Sequence, residues 1–210
     1  MFNYNLHDMK TTKLNRWSKF TLKNKTFKNR VVVPPMASQT ADVLGFVTIN
    51  TLKHYERLTE AKPGLLIVEY TYVHQSGRSE GNQLGIQSDA HIEGLSQIAK
   101  LIKNSGTLAG IQLSHGGGKS DRELTNGKLM GPSRIAVPVK DQKIEVPDPM
   151  SKDEIELWKS AFINATDRVV SAGFDLVELH SAHGYGLNQW LSPITNQRTD
   201  EYGKNKQQIN

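Results

Sequence analysis

The chain has 210 residues and no cysteine, which excludes disulfide bonds and catalysis by a thiolate. The lack of cysteine also favours a cytoplasmic location. Long apolar runs are missing too, since none approaches the roughly 20 residues that a membrane-spanning helix needs. Residues 1–19 mix polar and charged side chains without an apolar stretch, so we expect no secretory signal. The sequence therefore predicts a soluble cytoplasmic protein with no membrane partner.

Clusters of one charge sign are also scarce. The 26 Lys and Arg residues outnumber the 21 Asp and Glu residues and give a net charge of +5, but they are scattered along the chain. Scattered charge is typical of a solvated surface, so we expect no nucleic-acid partner. Apolar residues make up only 37% of the chain. This composition fits a core that is completed by a partner or a further segment, and we expect a homo-oligomer.

Short apolar runs alternate with amphipathic stretches. The predicted strands are residues 30–36, 64–70, 107–113 and 174–180. The predicted helices are residues 49–62, residues 90–104 with Asp89 as N-cap, and a helix opened by the capping box Ser151-Lys152-Asp153-Glu154. This order predicts a parallel sheet with right-handed crossovers. Before it, a polar turn at Asn24-Lys25 predicts a hairpin within residues 20–33, at the bottom of the fold.

Two α/β folds satisfy this order, a doubly wound sheet and part of a TIM (β/α)8 barrel. Pro34-Pro35-Met36 follows the first strand in place of a phosphate-binding glycine fingerprint, which favours the barrel. A barrel needs about 250 residues and eight strands, so we expect residues 1–210 to be one domain that forms the N-terminal part of a truncated barrel. The predicted part is about the first four βα units plus the hairpin. The long segment 114–150 predicts a functional excursion or a flexible region.

Polar and aromatic side chains gather where the predicted strands end. In a barrel these carboxyl ends meet at one face and carry the functional groups. The candidates are Pro35, Met36, Ala37, Glu69, Tyr70, Thr71, Gln112, His115, His180 and His183. Two imidazoles can donate hydrogen bonds to one oxygen atom, and the nearby Tyr185 can give up a proton. Polar loop residues or a metal pair would show the same spacing.

Strand alternation assigns these residues to faces. The residues that share one face are Gln112, Glu178 and His180, and those on the other are Ile111, Leu113, Val177 and Leu179. We expect the apolar face to pack on the outer helices and the polar face to point into the barrel mouth. The amide of Gln112, next to the two imidazoles, would suit a heteroaromatic ring with alternating donors and acceptors. Gly110 lies on the same polar face, and we expect it to leave room beneath that ring.

Three motifs in this order resemble the Old Yellow Enzyme family of flavin-dependent ene-reductases, in its bacterial class with the His-x-x-His form. The first is NRVVVPPM at residues 29–36, and the second is QLSHGG at residues 112–117. The third is HSAHGY at residues 180–185, followed by QWLSP at 189–193 and NQRTDEYG at 196–203. The resemblance covers residues 22–203, nearly the whole chain.

The resemblance implies a barrel that binds FMN, takes electrons from NADPH or NADH and delivers hydride to an activated alkene. The implied substrate is a small molecule of the enone type. His180 and His183 would hold its carbonyl oxygen, and Tyr185 would protonate its α-carbon. The residues implied to contact the flavin are Pro34, Pro35, Met36, Ala37, Tyr70 and Gln112.

The chain departs from the family pattern in several places. Ala37 stands where the family has Cys or Thr, so one hydrogen bond near the flavin is lost. Tyr70 replaces a usually small residue, and its bulk would change the substrate or flavin pocket. Gly118 stands where the family often has an Arg after its His-x-Gly sequence. The chain ends at Asn210, before the family's fifth-strand Arg and its phosphate-binding residues, so we expect weaker FMN binding.

Two other hypotheses remain open. A flavin-free half-barrel would expose sheet edges and an apolar face, and it would self-associate without catalysis. A metal-dependent hydrolase would use His180 and His183, with Glu178 as a further ligand, although this spacing on a loop is a weak metal signal. A flavin colour that bleaches with NADPH, a doubled mass and a bound metal would distinguish the three hypotheses.

Overall fold

The computed structural model describes residues 14–138 and 144–203. Its strands are β1 Phe20–Leu22, β2 Lys25–Phe27, β3 Val32–Val33, β4 Leu65–Tyr72, β5 Leu108–Ser114, β6 Met130–Gly131, β7 Asp148–Pro149 and β8 Leu176–Leu179. Its α-helices are α1 Ile49–Thr59, α2 Ile92–Asn104, α3 Lys152–Ser171 and α4 Gly186–Leu191. Residues 1–13, to which the signal prediction applies, and residues 139–143 of the predicted excursion lie outside the described residues.

One four-stranded parallel sheet organises the fold. The strand order is β3-β4-β5-β8, with α1, α2 and α3 in the crossovers. The predicted parallel sheet is therefore confirmed, although β4 and β5 run two residues and one residue past their predicted ends and β8 is shorter than residues 174–180. The excursion between β5 and α3 contains a second, two-stranded sheet of β6 and β7.

Two element boundaries differ from prediction for identifiable reasons. β3 pairs only over Val32–Val33 rather than 30–36, because Pro34 and Pro35 have no N–H to donate to a neighbouring strand. The helix α1 ends at Thr59 rather than at Lys62. Lys62 has a φ of 48°, and a residue in this left-handed conformation ends a helix.

The two predicted helix starts had different outcomes. The Ser151 capping box is confirmed, since Ser151 Oγ accepts from Glu154 N at 3.2 Å and Glu154 Oε2 accepts from Ser151 N at 2.8 Å. The prediction of Asp89 as N-cap of α2 is wrong. A 3₁₀ turn at Asp89–His91 precedes α2, and the Asp89 carboxylate instead accepts from Arg168 Nε of α3 at 2.7 Å.

Apolar layers lie on both faces of the sheet. The layer beneath the helices contains Ile111 and Leu113 with the partly buried Val177, as alternation predicted. Leu179 is 52% exposed, so the prediction is wrong for this residue, which lies at the end of the last strand of the sheet. The inner layer consists of Phe27, Leu65 and Ile67, packed against Leu108 and Leu176.

The predicted hairpin is present at the amino ends of the parallel strands. Phe27 of β2 packs into the inner layer, and Lys25 Nζ donates to Asp175 Oδ1 at 2.7 Å, directly before β8. Leu22 pairs with Lys25, which places the turn at Lys23-Asn24, one residue earlier than predicted. The hairpin thus covers the end of the sheet opposite the candidate residues. Among the described residues, no helix combines the length and apolar character required to cross a membrane.

The buried carboxyl group of Glu69 connects three elements near the carboxyl end of the sheet. Glu69 is 1% exposed, and its Oε1 accepts from the hydroxyl of Tyr55 on α1 at 3.0 Å. The backbone N–H of Ser38, beyond β3, donates to its Oε2 at 2.9 Å. These partners satisfy a buried polar group and fix the segment after β3 beside β4.

Tyr55→Phe should lower the free energy of unfolding by about 1–3 kcal/mol, because it removes a donor to a buried carboxyl group. Urea unfolding followed by circular dichroism measures this change. Tyr202→Phe is the matched control, since its hydroxyl bonds to the exposed carboxylate of Glu156, and we expect a change below about 0.5 kcal/mol. Equal losses in the two variants would contradict the role given to Glu69.

Candidate active site

A bulge in β4 sets the position of Tyr70. The register with β5 shifts between Val68 and Thr71, so that Glu69 and Tyr70 together lie opposite Gln112. An extra residue in one strand bends it and redirects its side chains. Tyr70 accordingly contacts the rings that follow β8.

Four rings meet at the carboxyl end of the sheet. The His180 ring lies perpendicular to that of His183, with centroids 5.1 Å apart, and 4.7 Å from that of Tyr185. The Tyr70 ring lies 6.3 Å from His180 and 5.7 Å from Tyr185. The three residues predicted to be catalytic are therefore close together, and one residue predicted to bind the cofactor joins them.

His180 is held as a neutral imidazole. It is 6% exposed, and burial lowers its pKa to about 4, helped by the charges of His183 and Lys119. Its Nδ1 accepts a long hydrogen bond from Ala182 N at 3.4 Å. The acceptor role of Nδ1 assigns the ring proton to Nε2, which is then free to donate to an oxygen atom of a ligand.

The two phenols of the cluster are held in their protonated forms. Burial raises the pKa of Tyr185, and the negative charge of Glu80 raises it further. Burial is also the largest cause of a raised pKa at Tyr70. The Tyr70 hydroxyl is buried without a hydrogen-bond partner among the described residues. An unsatisfied polar atom beside donor side chains indicates a place where a ligand or water binds.

Gln112 and Glu178 share one face, as alternation predicted. Gln112 Nε2 donates to Glu178 Oε1 at 2.6 Å, which fixes the orientation of the amide and leaves its oxygen available as an acceptor. The expected room at Gly110 is absent, so that expectation is wrong. A Cβ there would lie 2.7 Å from Leu176 Cδ1, which shows that inner-layer side chains already fill the space.

Residues 34–37 extend beyond β3 at the same edge of the sheet. Pro34, Met36 and Ala37 are exposed and Pro35 is half-buried. Ser38 donates to the buried carboxyl group of Glu69, which holds the segment beside β4. Tyr70 follows Glu69 directly in that strand. The segment therefore presents exposed apolar surface near the bulge.

Three of the strand-end candidates have structural roles instead. Glu69 ties elements together, and the Thr71 hydroxyl donates to the backbone oxygen of Glu69 at 2.8 Å. His115 is fully buried with its ring edge-on to Trp158 of α3; its Nδ1 accepts from Gly117 N at 3.1 Å and its Nε2 is bonded to Ser76 Oγ at 3.0 Å. Burial lowers the pKa of His115 to about 3.

The sequence did not reveal the role of Lys119. Its Nζ donates to the backbone oxygen of His183 at 2.9 Å and lies 5.2 Å from the centre of the Tyr185 ring. The sequence feature that could have pointed to this role is the position of Lys119 directly after three glycines, in a loop at the end of a strand. Across residues 14–138 and 144–203, no three His, Asp or Glu side chains are grouped so as to hold a metal ion.

A model of the NADH:flavin oxidoreductase / NADH oxidase family matches residues 17–208. The chain belongs to this family. Similar relatives include the NADPH dehydrogenases of Geobacillus sp. (strain WCH70), 42% identical over 188 residues, and of Bacillus subtilis (strain 168), 39% identical over 184 residues. The alignments cover 89% and 87% of this chain but only 54% and 53% of the relatives. The chain thus spans about half the length of the curated relatives it matches.

Solved structures show the same fold. The Old Yellow Enzyme homologue of Zymomonas mobilis is 28% identical with a TM-score of 0.84, over 90% of this chain and 54% of that one. Morphinone reductase is 25% identical with a TM-score of 0.82, over 93% of this chain and 55% of that one. The predicted family and the partial TIM barrel are therefore confirmed. FMN and a nicotinamide reductant are confirmed for the family, whose members are oxidoreductases.

The free energy of unfolding should fall as the pH drops below about 6.5, because His180 and His115 have folded-state pKa values of about 4 and about 3. Between these values and 6.5 the unfolded chain binds more protons, so stability rises with pH across this window. His115→Gln should flatten the dependence between about pH 5 and pH 7, as measured by urea unfolding.

Tyr202→Phe, which keeps both imidazoles, is the control for this experiment and should retain the slope of the unmodified chain. A slope that His115→Gln leaves unchanged would show that burial does not disfavour the charged form of that ring.

Proposed function

We propose that this chain carries the substrate-binding and proton-donating face of an FMN-dependent oxidoreductase that reduces activated alkenes with NADPH or NADH. The activated alkene is an α,β-unsaturated carbonyl compound. The observation that supports this most strongly is the cluster of His180, His183 and Tyr185 at the strand ends of a chain in the flavin oxidoreductase family.

The residues at this edge fit a flavin ring. The amide of Gln112 offers a donor and an acceptor to the pyrimidine edge, and the exposed segment from Pro34 to Ala37 offers backbone groups and an apolar surface. The buried hydroxyl of Tyr70, which has no hydrogen-bond partner within residues 14–138 and 144–203, supplies a further polar contact. When bound, the flavin supplies the hydride that reaches the β-carbon of the alkene.

The two imidazoles hold the carbonyl oxygen of the substrate. Neutral His180 donates through Nε2, and the ring of His183 lies beside it on the exposed side of the cluster. Two donors aimed at one oxygen stabilise the negative charge that develops there as hydride arrives at the β-carbon. Because His180 is neutral, its ring provides this stabilisation without placing a charge in the buried part of the cluster.

Tyr185 delivers the proton to the α-carbon. Its raised pKa keeps the phenol protonated at neutral pH, which a general acid requires. The ammonium group of Lys119, 5.2 Å from the ring centre, stabilises negative charge on the phenol after the proton has left. Tyr185 thus acts on the substrate atom next to the one that the imidazoles polarise.

The names of the relatives favour NADPH as the reductant, and a solved morphinone reductase holds tetrahydroNAD. NADH therefore stays in the proposal beside NADPH. We also propose a cytoplasmic location and retain the prediction of a homo-oligomer.

The experiment compares the chain carrying both His180→Ala and His183→Ala with Tyr185→Phe, each loaded with FMN and then separated from unbound FMN by gel filtration. The double variant should keep its flavin colour but bind phenol about tenfold or more weakly, because two donors to the oxygen are lost. The change in the visible flavin spectrum on adding phenol measures this affinity. Tyr185→Phe should bind phenol normally and accept electrons from NADPH, but reduce 2-cyclohexenone about 10²-fold more slowly or worse.

An unchanged affinity for phenol in the double variant would contradict the assignment of the imidazoles. An unmodified chain that stays colourless with FMN and runs at a doubled mass would instead support the flavin-free, self-associating half-barrel.

A further inference from the structure

The turn that carries His183 has an unusual backbone. His183 has a φ of 56° and Gly184 a φ of 72°, so two consecutive residues adopt the left-handed conformation. Residues other than glycine rarely adopt this conformation, because their Cβ approaches the neighbouring carbonyl oxygen. The direction of the His183 side chain therefore depends on whatever holds this turn.

Three side chains bond to the backbone of the turn. Lys119 Nζ donates to His183 O at 2.9 Å, and Asn188 Oδ1 accepts from Gly184 N at 2.8 Å. Gln189 Nε2 donates to Gly184 O at 2.6 Å. Between them they satisfy both polar groups of Gly184 and the carbonyl of His183.

Gln189 differs from the other two because it also holds a second loop. It is 1% exposed, and its Nε2 donates to Gly116 O at 3.1 Å while its Oε1 accepts from Gly118 N at 2.9 Å. A Cβ on Gly117 would lie 2.6 Å from that Oε1, so the glycine allows the close approach. One buried amide thus joins the loop after β5 to the turn after β8.

Backbone hydrogen bonds connect the turn to the start of α4. Gln189 N donates to Tyr185 O at 2.9 Å, and Gly186 N donates to His115 O at 2.8 Å. The two ring-bearing residues, His183 and Tyr185, flank Gly184, whose carbonyl oxygen accepts from the Gln189 side chain.

We propose that Gln189 is a positioning residue, whose side chain holds the left-handed turn so that His183 and Tyr185 keep their orientation beside His180. The geometric part of this proposal concerns the chain alone, and its catalytic meaning rests on the proposed function. Gln189 acts through backbone groups of the turn and contacts neither substrate nor cofactor.

The test uses the 210-residue chain without flavin and reads the imidazole signals by NMR. Gln189→Met keeps the length of the side chain and removes all three hydrogen bonds, and Gln189→Glu keeps the acceptor for Gly118 N while losing the amide donor. Gln97→Leu, at an exposed position of α2, is the control. Lys119→Met removes one bond to the turn from a partly exposed site and covers the case in which the Gln189 variants fail to fold.

In both Gln189 variants, the cross-relaxation between the His180 and His183 rings should weaken, and the titration midpoint of His180 should move up from about 4 toward 6.5. The groups that face His180 are His183 and Tyr185 on its own loop, Tyr70 on β4, and Lys119 after β5. We expect Tyr70 to keep its position, because it lies on β4. The change in the titration midpoint of His180 therefore reports that the His183 ring has moved away and that water has entered. Lys119→Met should change the cross-relaxation in the same direction by a smaller amount.

With FMN added, Gln189→Met should reduce 2-cyclohexenone about tenfold more slowly or worse, at unchanged flavin affinity. The positioning role would be overturned if folded Gln189 variants showed the same ring signals and the same His180 titration midpoint as Gln97→Leu. Altered ring signals with unchanged turnover would support the geometric role and count against the proposed function.

Discussion

Parallel pairing of four strands is the constraint on which the site depends. Because β3, β4, β5 and β8 run in one direction, residues far apart in the chain arrive at the same edge of the sheet. The bulge in β4 adds Tyr70 to that edge, and the buried carboxyl group of Glu69 fixes the segment after β3 beside it. The hairpin covers the opposite end, so the polar candidate residues and the apolar contacts of the hairpin lie at different ends of the sheet.

Burial gives the site its electrostatic character. The same partial exclusion of water that lowers the pKa of His180 raises that of Tyr185, so both groups are neutral near pH 7. A neutral imidazole donates to an oxygen atom and a protonated phenol gives up a proton, which are the two tasks that reduction of an enone requires. Lys119 brings a positive charge to the cluster, and it does so from the loop after β5.

The sequence predicts the strands and the edge at which they end because apolar runs and alternation are local properties. It predicts the grouping of His180, His183 and Tyr185 because these residues follow one strand directly. It does not predict the bulge, the 3₁₀ turn that displaces Asp89 from the N-cap position, or the filled space at Gly110. Each of these depends on contacts between distant segments. The left-handed conformation of His183 is not predicted either, because the sequence does not show which side chains bond to the backbone of its turn.

The most direct test of the account is a crystal structure of the chain with FMN and phenol bound. The account predicts the phenolic oxygen within hydrogen-bond distance of both His180 and His183, its ring stacked on the flavin, and the Gln112 amide at the pyrimidine edge. A phenol bound away from the two imidazoles, or a flavin ring that does not contact Gln112, would contradict it.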